Sequence, residues 1–178
     1  MAILEFSRRY AMAHRLRAVD SAQCAIPHGH NEIVTVRLAP LSGLKLGREN
    51  AHAPFGAVKA RWHGWIDRAV DHTLHLDADD PLISYFRAHE PERLRQIMTF
   101  PGDPTTEALA ACFWLKLEAF LKADALPFTL EEVRIEETPT NTVVLNGAVF
   151  DADNCGVAAG AWPRRADMSI NDIGELPA

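Results

Sequence analysis

Three histidines and a cysteine near the start of the chain are the residues best suited to chemistry. His28 and His30 flank Gly29, Cys24 lies four residues before His28, and His14 lies upstream. Neutral imidazole is a preferred zinc ligand, and three protein nitrogens that leave a fourth position open are typical of catalytic zinc sites. The spacing therefore predicts a zinc centre on the three histidines, with a thiol beside it.

The His-x-His spacing is the decisive part of this pattern, because a lone histidine on an apolar face is usually a hydrogen-bonded core residue. Residues two apart on a strand point to one side of a sheet. His28 and His30 share that side with Val34, Val36 and Leu38, and two desolvated imidazoles need a shared cation or separate partners. Four histidines without such spacing are expected at the surface or in loops: His52, His63, His75 and His89.

Cys24 has three interpretations. As a fourth ligand it would close a structural Cys/His3 site. Just outside the metal shell it would act as a thiolate base or nucleophile. It could also be a buried, inert thiol. Pro27 separates Cys24 from the following strand by a turn, which favours the catalytic interpretation.

Asp71 and His72 are adjacent and follow a predicted helix. A carboxylate that fixes the tautomer of a histidine can turn the pair into a proton relay. A plain surface pair is the alternative.

Glu137 shares the strand face of Val133 and Ile135. A buried carboxylate needs a hydrogen-bonding partner, and the edge of a ligand with two adjacent N–H donors matches the two oxygens of a carboxylate. The alternative is that Glu137 lies in solvent or forms a salt bridge. Three residues in the first turn of the second helix could face the same ligand or simply cap the helix: Thr105, Thr106 and Glu107.

Hydrophobic periodicity indicates the elements that must position these side chains. Alternating apolar residues predict strands over 2–14, 28–39, 128–138 and 143–149. Helical spacing predicts helices over 55–70 and from Asp103-Pro104 to about residue 122, with Asp103 as the N-cap.

The order of these elements predicts an α+β domain. Two strands, two helices and two strands form an antiparallel sheet with both helices packed on one face. We assign residues 1–150 to this domain. Segment 77–103 is predicted to be a long irregular loop with one short helix near 81–97, and residues 151–178 are predicted to be an irregular C-terminal extension.

Composition limits the partners of the protein. Its 178 residues are 48% hydrophobic and carry a formal net charge of −6, which argues against tight, sequence-independent nucleic-acid binding. The first residues do not form a signal-peptide pattern, no apolar stretch is long enough to span a bilayer, and three scattered cysteines fit a reducing compartment. We therefore expect a cytoplasmic protein with neither a membrane nor a nucleic-acid partner.

These residues, in this order, resemble the 6-pyruvoyltetrahydropterin synthase / 6-carboxytetrahydropterin synthase family. The resemblance covers residues 6 to 150 and lies in five motifs: Phe6 to Leu16 with His14, Cys24-x-x-x-His28-Gly29-His30-Asn31, Asp71-His72, Pro104-Thr105-Thr106-Glu107 and Glu137-Thr138. It implies the tunnelling fold (T-fold), whose sheets assemble into a barrel. It also implies a homo-oligomer, a hexamer or a tetramer, with active sites at subunit interfaces.

The resemblance also implies roles for residues at matching positions. Zn²⁺ would bind His14, His28 and His30. Cys24 would be the general base, and Asp71 and His72 its partners in proton transfer. Glu137 would anchor a pterin ring, with Thr105, Thr106 and Glu107 nearby.

The substrate implied by the resemblance is 7,8-dihydroneopterin triphosphate. Three residues between Cys24 and His28 resemble the bacterial carboxy-forming lyases of queuosine (7-deazaguanine) biosynthesis, whereas pyruvoyl-forming members have a longer gap. A pyruvoyl-forming synthase or a side-chain aldolase is the alternative on the same fold, and a non-catalytic zinc protein is a third. Glu32 departs from the family, which usually has an aromatic residue there.

Overall fold

The computed structural model describes residues 3–19, 21–48 and 50–173. Its strands are β1 (Leu4–His14), β2 (His28–Pro40), β3 (Thr73–Asp77), β4 (Ile97–Phe100), β5 (Phe128–Thr138) and β6 (Asn141–Asn146). Its α-helices are α1 (Phe55–Trp65), α2 (Pro81–His89) and α3 (Thr106–Ala123). A π-helical turn, Ile66–Val70, continues α1, and short 3-10 helices cover Pro91–Gln96 and Trp162–Arg164. The predicted start at residue 2 and the extension after 173 lie outside the described residues.

Six strands form one sheet in the order β4-β3-β1-β2-β5-β6. The four predicted strands are present, and each of their pairings is antiparallel, as expected. β3 and β4 add two parallel pairings, β1 with β3 and β3 with β4. The prediction of an irregular segment 77–103 was therefore wrong in part. β4 has four residues, all buried, and so short an apolar run has no periodicity to reveal it.

One face of the sheet carries the core. Even-numbered side chains of β1 and β2 point to this face and pack against α1 and α3, as strand alternation requires. The largest buried side chains between the helices and the sheet are aromatic: Tyr10, Trp62, Trp65, Phe113 and Phe120. Both long helices thus cover one face, which confirms the predicted layering.

α3 begins two residues later than predicted. Thr105 is its N-cap, and the Thr105 hydroxyl accepts from the backbone N–H of Ala108 at 3.3 Å. The prediction that Asp103 caps α3 was wrong, because its carboxylate accepts instead from the backbone N–H groups of residues 17–19 at 2.7–3.0 Å. These bonds fix the loop after β1 against the start of α3.

His75 was predicted to lie at the surface or in a loop, and this was wrong. It lies in β3 and is fully buried, with Nε2 3.0 Å from the Thr73 hydroxyl. Burial lowers the pKa of His75 to about 3. The short strand β3 escaped the periodicity analysis, so its histidine was misplaced with it.

Residues 151–173 of the C-terminal extension contain one 3-10 turn and no other helix or strand, and they pack on the domain. Trp162 is buried, and its indole N–H donates to the Thr99 carbonyl at 2.8 Å. The fully buried Lys116 ammonium of α3 donates to the carbonyls of Trp162, Arg165 and Asp167 at 2.9, 2.9 and 3.1 Å. No helix within the described residues is both long and apolar enough to cross a membrane.

Candidate metal centre and adjoining pockets

The adjoining ends of β1 and β2 bring three histidines together. His14 pairs with His28 in the antiparallel register, and His30 lies opposite Met12 on the same face. One ring nitrogen from each of His14, His28 and His30 lies within 4.8 Å of the other two. The structure thus groups the three residues that the sequence selected as metal ligands.

Hydrogen bonds to the backbone fix the tautomers of two of these rings. His14 Nδ1 lies 3.0 Å from the Pro104 carbonyl oxygen, and His28 Nδ1 lies 2.9 Å from that of Ile26. A carbonyl only accepts, so each Nδ1 carries the proton and each neutral ring keeps a lone pair on Nε2. Those two Nε2 atoms are 3.1 Å apart.

Two lone pairs facing each other at this distance fit a shared cation. Burial lowers the pKa of His14, which keeps its imidazole in the neutral form that binds metals. Backbone carbonyls that hold the second ring nitrogen are the usual support of histidine ligands. The three histidines can therefore hold a divalent ion through three nitrogens and leave further coordination positions free.

Cys24 is not part of this group among the described residues. Its thiol is half-buried, and the Ser21 hydroxyl donates to Sγ at 3.1 Å. The Cys24 carbonyl accepts from the Leu16 N–H at 2.8 Å, which ties the turn to the end of β1. This placement weighs against the closed Cys/His3 interpretation.

Two carboxylates hold the Cys24 loop in place: Asp80, which the sequence analysis did not single out, and Asp103, which it assigned only as a helix cap. Asp80, fully buried, forms a two-point salt bridge with Arg15. Burial opposes ionisation of Asp103, but the N–H donors of Arg17, Ala18 and Val19 lower its pKa below the usual value. No local pattern marks these residues, because their partners are more than 60 positions away in sequence.

The predicted ligand-binding residues line one cavity. A pocket of about 600 Å³ lies between the start of α3 and the β5–β6 hairpin, and its walls include Thr105, Thr106, Glu107 and Glu137. The Thr106 hydroxyl donates to Glu137 Oε1 at 2.8 Å. One carboxylate oxygen is thus fixed, and the carboxylate remains able to accept from a ligand.

Glu32 of β2 is a second carboxyl group whose pKa is influenced by Glu137. It is fully buried opposite Tyr10, whose hydroxyl donates to Glu32 Oε2 at 2.5 Å, while Oε1 has no partner among the described residues. Burial and the charge of Glu137 raise the pKa of Glu32 to about 7, against the opposing effect of the Tyr10 hydrogen bond. A buried carboxyl group thus occupies the position at which the family resemblance leads us to expect an aromatic residue.

Asp71 and His72 form the predicted pair, with His72 Nδ1 2.9 Å from Asp71 Oδ2. Asp71 Oδ1 accepts from the Ala11 N–H at 2.7 Å, and the His72 side chain is 78% exposed. Asp71 and His72 line cavities that contain neither Cys24 nor the three histidines. Among the described residues, neither Asp71 nor His72 belongs to the three-histidine group.

Comparison with known proteins agrees with this geometry. The sequence profile of the family described as 6-pyruvoyl tetrahydropterin synthase matches residues 3–148. A probable 6-carboxy-5,6,7,8-tetrahydropterin synthase from Halobacterium salinarum is 31% identical over 136 residues, 75% of this chain and 79% of that protein. A 6-carboxy-5,6,7,8-tetrahydropterin synthase from Rickettsia bellii is 28% identical over 118 residues, 66% of this chain and 80% of that protein.

The solved structure of Caenorhabditis elegans 6-pyruvoyl tetrahydropterin synthase superposes with a TM-score of 0.53 at 21% identity, over 82% of this chain and 95% of that one. This likeness confirms the predicted tunnelling fold. Because the family profile covers most of the chain, the protein belongs to the 6-pyruvoyl tetrahydropterin synthase family.

Proposed function

We propose that this protein is a zinc-dependent lyase of the 6-carboxy-5,6,7,8-tetrahydropterin synthase type, acting on 7,8-dihydroneopterin triphosphate in the route to queuosine. The observation that carries the proposal is the 3.1 Å approach of His14 Nε2 to His28 Nε2, with His30 in the same group. Two relatives bear the name of this activity. The three-residue gap between Cys24 and His28 supports the same choice.

Three nitrogen donors suit zinc, which when bound would supply Lewis-acid polarisation of the substrate side chain. The residues of the chain supply positioning and proton transfer. Glu137, held by Thr106, would accept from two ring N–H groups of the pterin and orient its side chain toward the histidines. Cys24 Sγ would take the proton from the adjacent carbon.

Asp71 and His72 would complete the site from a neighbouring subunit. The pair is already assembled, and His72 is largely exposed, so it is free to meet another chain. We therefore propose a homo-oligomer, a hexamer or a tetramer, with its sites between subunits. Asp71 fixes the His72 tautomer through Nδ1, which leaves Nε2 to exchange protons with the substrate.

The test incubates zinc-loaded protein with 7,8-dihydroneopterin triphosphate and identifies the products by mass spectrometry. We expect 6-carboxytetrahydropterin together with acetaldehyde and inorganic triphosphate, the leaving group. A 6-pyruvoyl product would replace the proposal with the pyruvoyl-forming activity, and absence of turnover would refute both.

The Cys24→Ala variant tests the base. Loss of a general base reduces turnover by about 10²- to 10⁴-fold, and we expect this with the metal content unchanged, since Cys24 lies outside the histidine group. Cys155→Ser, at another half-buried thiol, is the matched control and should keep full activity. Loss of zinc from Cys24→Ala would favour the structural Cys/His3 site.

A further inference from the structure

A second cavity lies beside the Asp71–His72 pair. Its volume is about 740 Å³, and its walls include Arg68, Arg95, Gln96, Asp71 and the segment Met168–Asn171. This is within the usual size range of small-molecule sites. Nothing in the proposed chemistry at the three histidines uses this cavity.

Two arginines give the cavity its chemical character. Neither Arg68 nor Arg95 makes a side-chain hydrogen bond or salt bridge to any of the described residues, although both line the cavity wall. The one carboxylate in the wall, Asp71, is engaged by the Ala11 N–H and by His72. The cavity therefore offers two uncommitted guanidinium groups, and a guanidinium matches phosphate with two parallel hydrogen bonds.

Gly64, four residues before Arg68, leaves room for the Arg68 guanidinium. A Cβ at Gly64 would stand 2.9 Å from Arg68 Nη2, so the guanidinium lies directly over the glycine. An alanine at position 64 would displace this flexible side-chain end and would leave the charge unchanged.

The opposite wall comes from the C-terminal extension, beyond the residues that match the family. Asn171 Nδ2 donates to the carbonyls of Leu94 and Ile97 at 3.0 and 2.7 Å, and the Ile170 carbonyl accepts from the Thr99 N–H at 3.2 Å. Lys116 holds the preceding turn through three carbonyls. The wall is thus attached on both sides, which is the preorganisation that a binding site requires.

We propose that this cavity binds the polyphosphate chain of the substrate. The inference rests on the proposed function, in which Asp71 and His72 serve the site of a neighbouring chain. A substrate whose ring lies on Glu137 of one subunit would then extend its phosphates toward Arg68 and Arg95 of the next. The leaving group would lie beside the His72 proton relay, and the extension would be part of the substrate site.

The test measures binding of inorganic tripolyphosphate by calorimetry to the full-length, zinc-loaded protein and to the double variant Arg68→Gln/Arg95→Gln. We expect at least a tenfold weaker affinity in the variant, since two charge-assisted contacts are lost. The KM for 7,8-dihydroneopterin triphosphate should rise by a similar factor, with kcat retained. Affinity for 7,8-dihydroneopterin, which has no phosphates, should not change.

Two further variants control this comparison. Lys122→Gln/Arg134→Gln removes the same two charges from exposed positions outside the cavity and should bind tripolyphosphate as the wild type does. Gly64→Ala should weaken binding with no change of charge. Both arginines are exposed, so unchanged thermal unfolding should confirm that the double variant is folded.

Wild-type affinity for tripolyphosphate in Arg68→Gln/Arg95→Gln would overturn the inference. If instead the wild type binds tripolyphosphate in this cavity and does not turn over the pterin, the proposed function fails and the cavity serves another phosphorylated small molecule. A weakened free tripolyphosphate affinity with an unchanged KM would separate an independent anion site from a substrate subsite and would also overturn the inference.

Discussion

At the residue scale, the chemistry depends on which nitrogen of each histidine carries its proton. The carbonyls of Pro104 and Ile26 hold the protons of His14 and His28 on Nδ1. Both Nε2 lone pairs therefore point into the same space. The identity of the ligands was readable from sequence, whereas their tautomers were not, because Pro104 is 90 positions from His14.

Replacing His28 by alanine should remove the metal. One of three nitrogen ligands is lost, and we expect metal affinity to fall by more than about a hundredfold, beyond the usual effect of losing only a supporting hydrogen bond. Metal analysis of purified protein by mass spectrometry measures this. His89→Ala, at an exposed position on α2, is the matched control. Unchanged metal content in His28→Ala would refute the centre.

Acid should destabilise the protein through His75. Its folded-state pKa, about 3, lies below the ordinary value of 6.5, so the unfolded chain binds the proton more readily. The stabilisation of the folded state that depends on neutral His75 is complete above pH 6.5 and is lost as pH falls toward 3. The free energy of unfolding then decreases by about 1.4 kcal/mol per pH unit.

Urea unfolding of metal-free protein at several pH values tests this expectation. Between pH 6 and 4 the free energy of unfolding should fall more steeply for the wild type than for His75→Leu. The difference between the two slopes should be about 1.4 kcal/mol per pH unit. His89→Leu should keep the wild-type slope. Parallel pH dependences for the wild type and His75→Leu would contradict the expectation.

At the element scale, the periodicity analysis succeeded where elements are long and half-buried. β1 and β2 alternate between core and solvent over more than ten residues each, and α3 presents a continuous apolar face. β3 and β4 have five and four residues and add parallel pairings that carry no alternating pattern. The start of α3 was misjudged because Asp103 found backbone donors in another loop.

Lys116 joins α3 to the C-terminal extension. Substituting methionine preserves much of the side-chain volume but leaves the carbonyls of Trp162, Arg165 and Asp167 without this donor. We expect a loss of about 2–4 kcal/mol in the free energy of unfolding and faster hydrogen exchange in residues 161–173. Lys122→Met, exposed on the same helix, should change neither. Unaltered exchange in Lys116→Met would show that the extension is held by other contacts.

At the scale of the whole molecule, the described residues of one chain do not gather all the proposed catalytic groups in one cluster. The candidate metal group consists of His14, His28 and His30, and Asp71 and His72 line other cavities. A closed oligomer repeats each surface by symmetry, so a pair exposed on one subunit can complete the site of its neighbour. This arrangement leads to a direct test of shared sites.

Mixing two inactive variants should restore activity. Cys24→Ala and His72→Ala each lack one catalytic group. In a randomly mixed oligomer about a quarter of the sites would receive Cys24 from one chain and His72 from another. We expect co-refolded or co-expressed mixtures to recover that fraction of wild-type turnover, and the separate variants to remain inactive. Failure of a verified mixed oligomer to recover activity would indicate that each site is built within one chain.

The sequence by itself selected the candidate metal ligands and predicted the long elements that carry them, and its family resemblance selected the residues of the Glu137 pocket. These depend on residue type and on strand and helix periods, which are local properties of the chain. The tertiary structure alone decided the tautomer of His14, the burial of His75 and Lys116, and the cavity closed by the extension. Each of these depends on a partner distant in sequence, as with Lys116 and the carbonyls 46 to 51 residues later, and only folding brings such partners into contact.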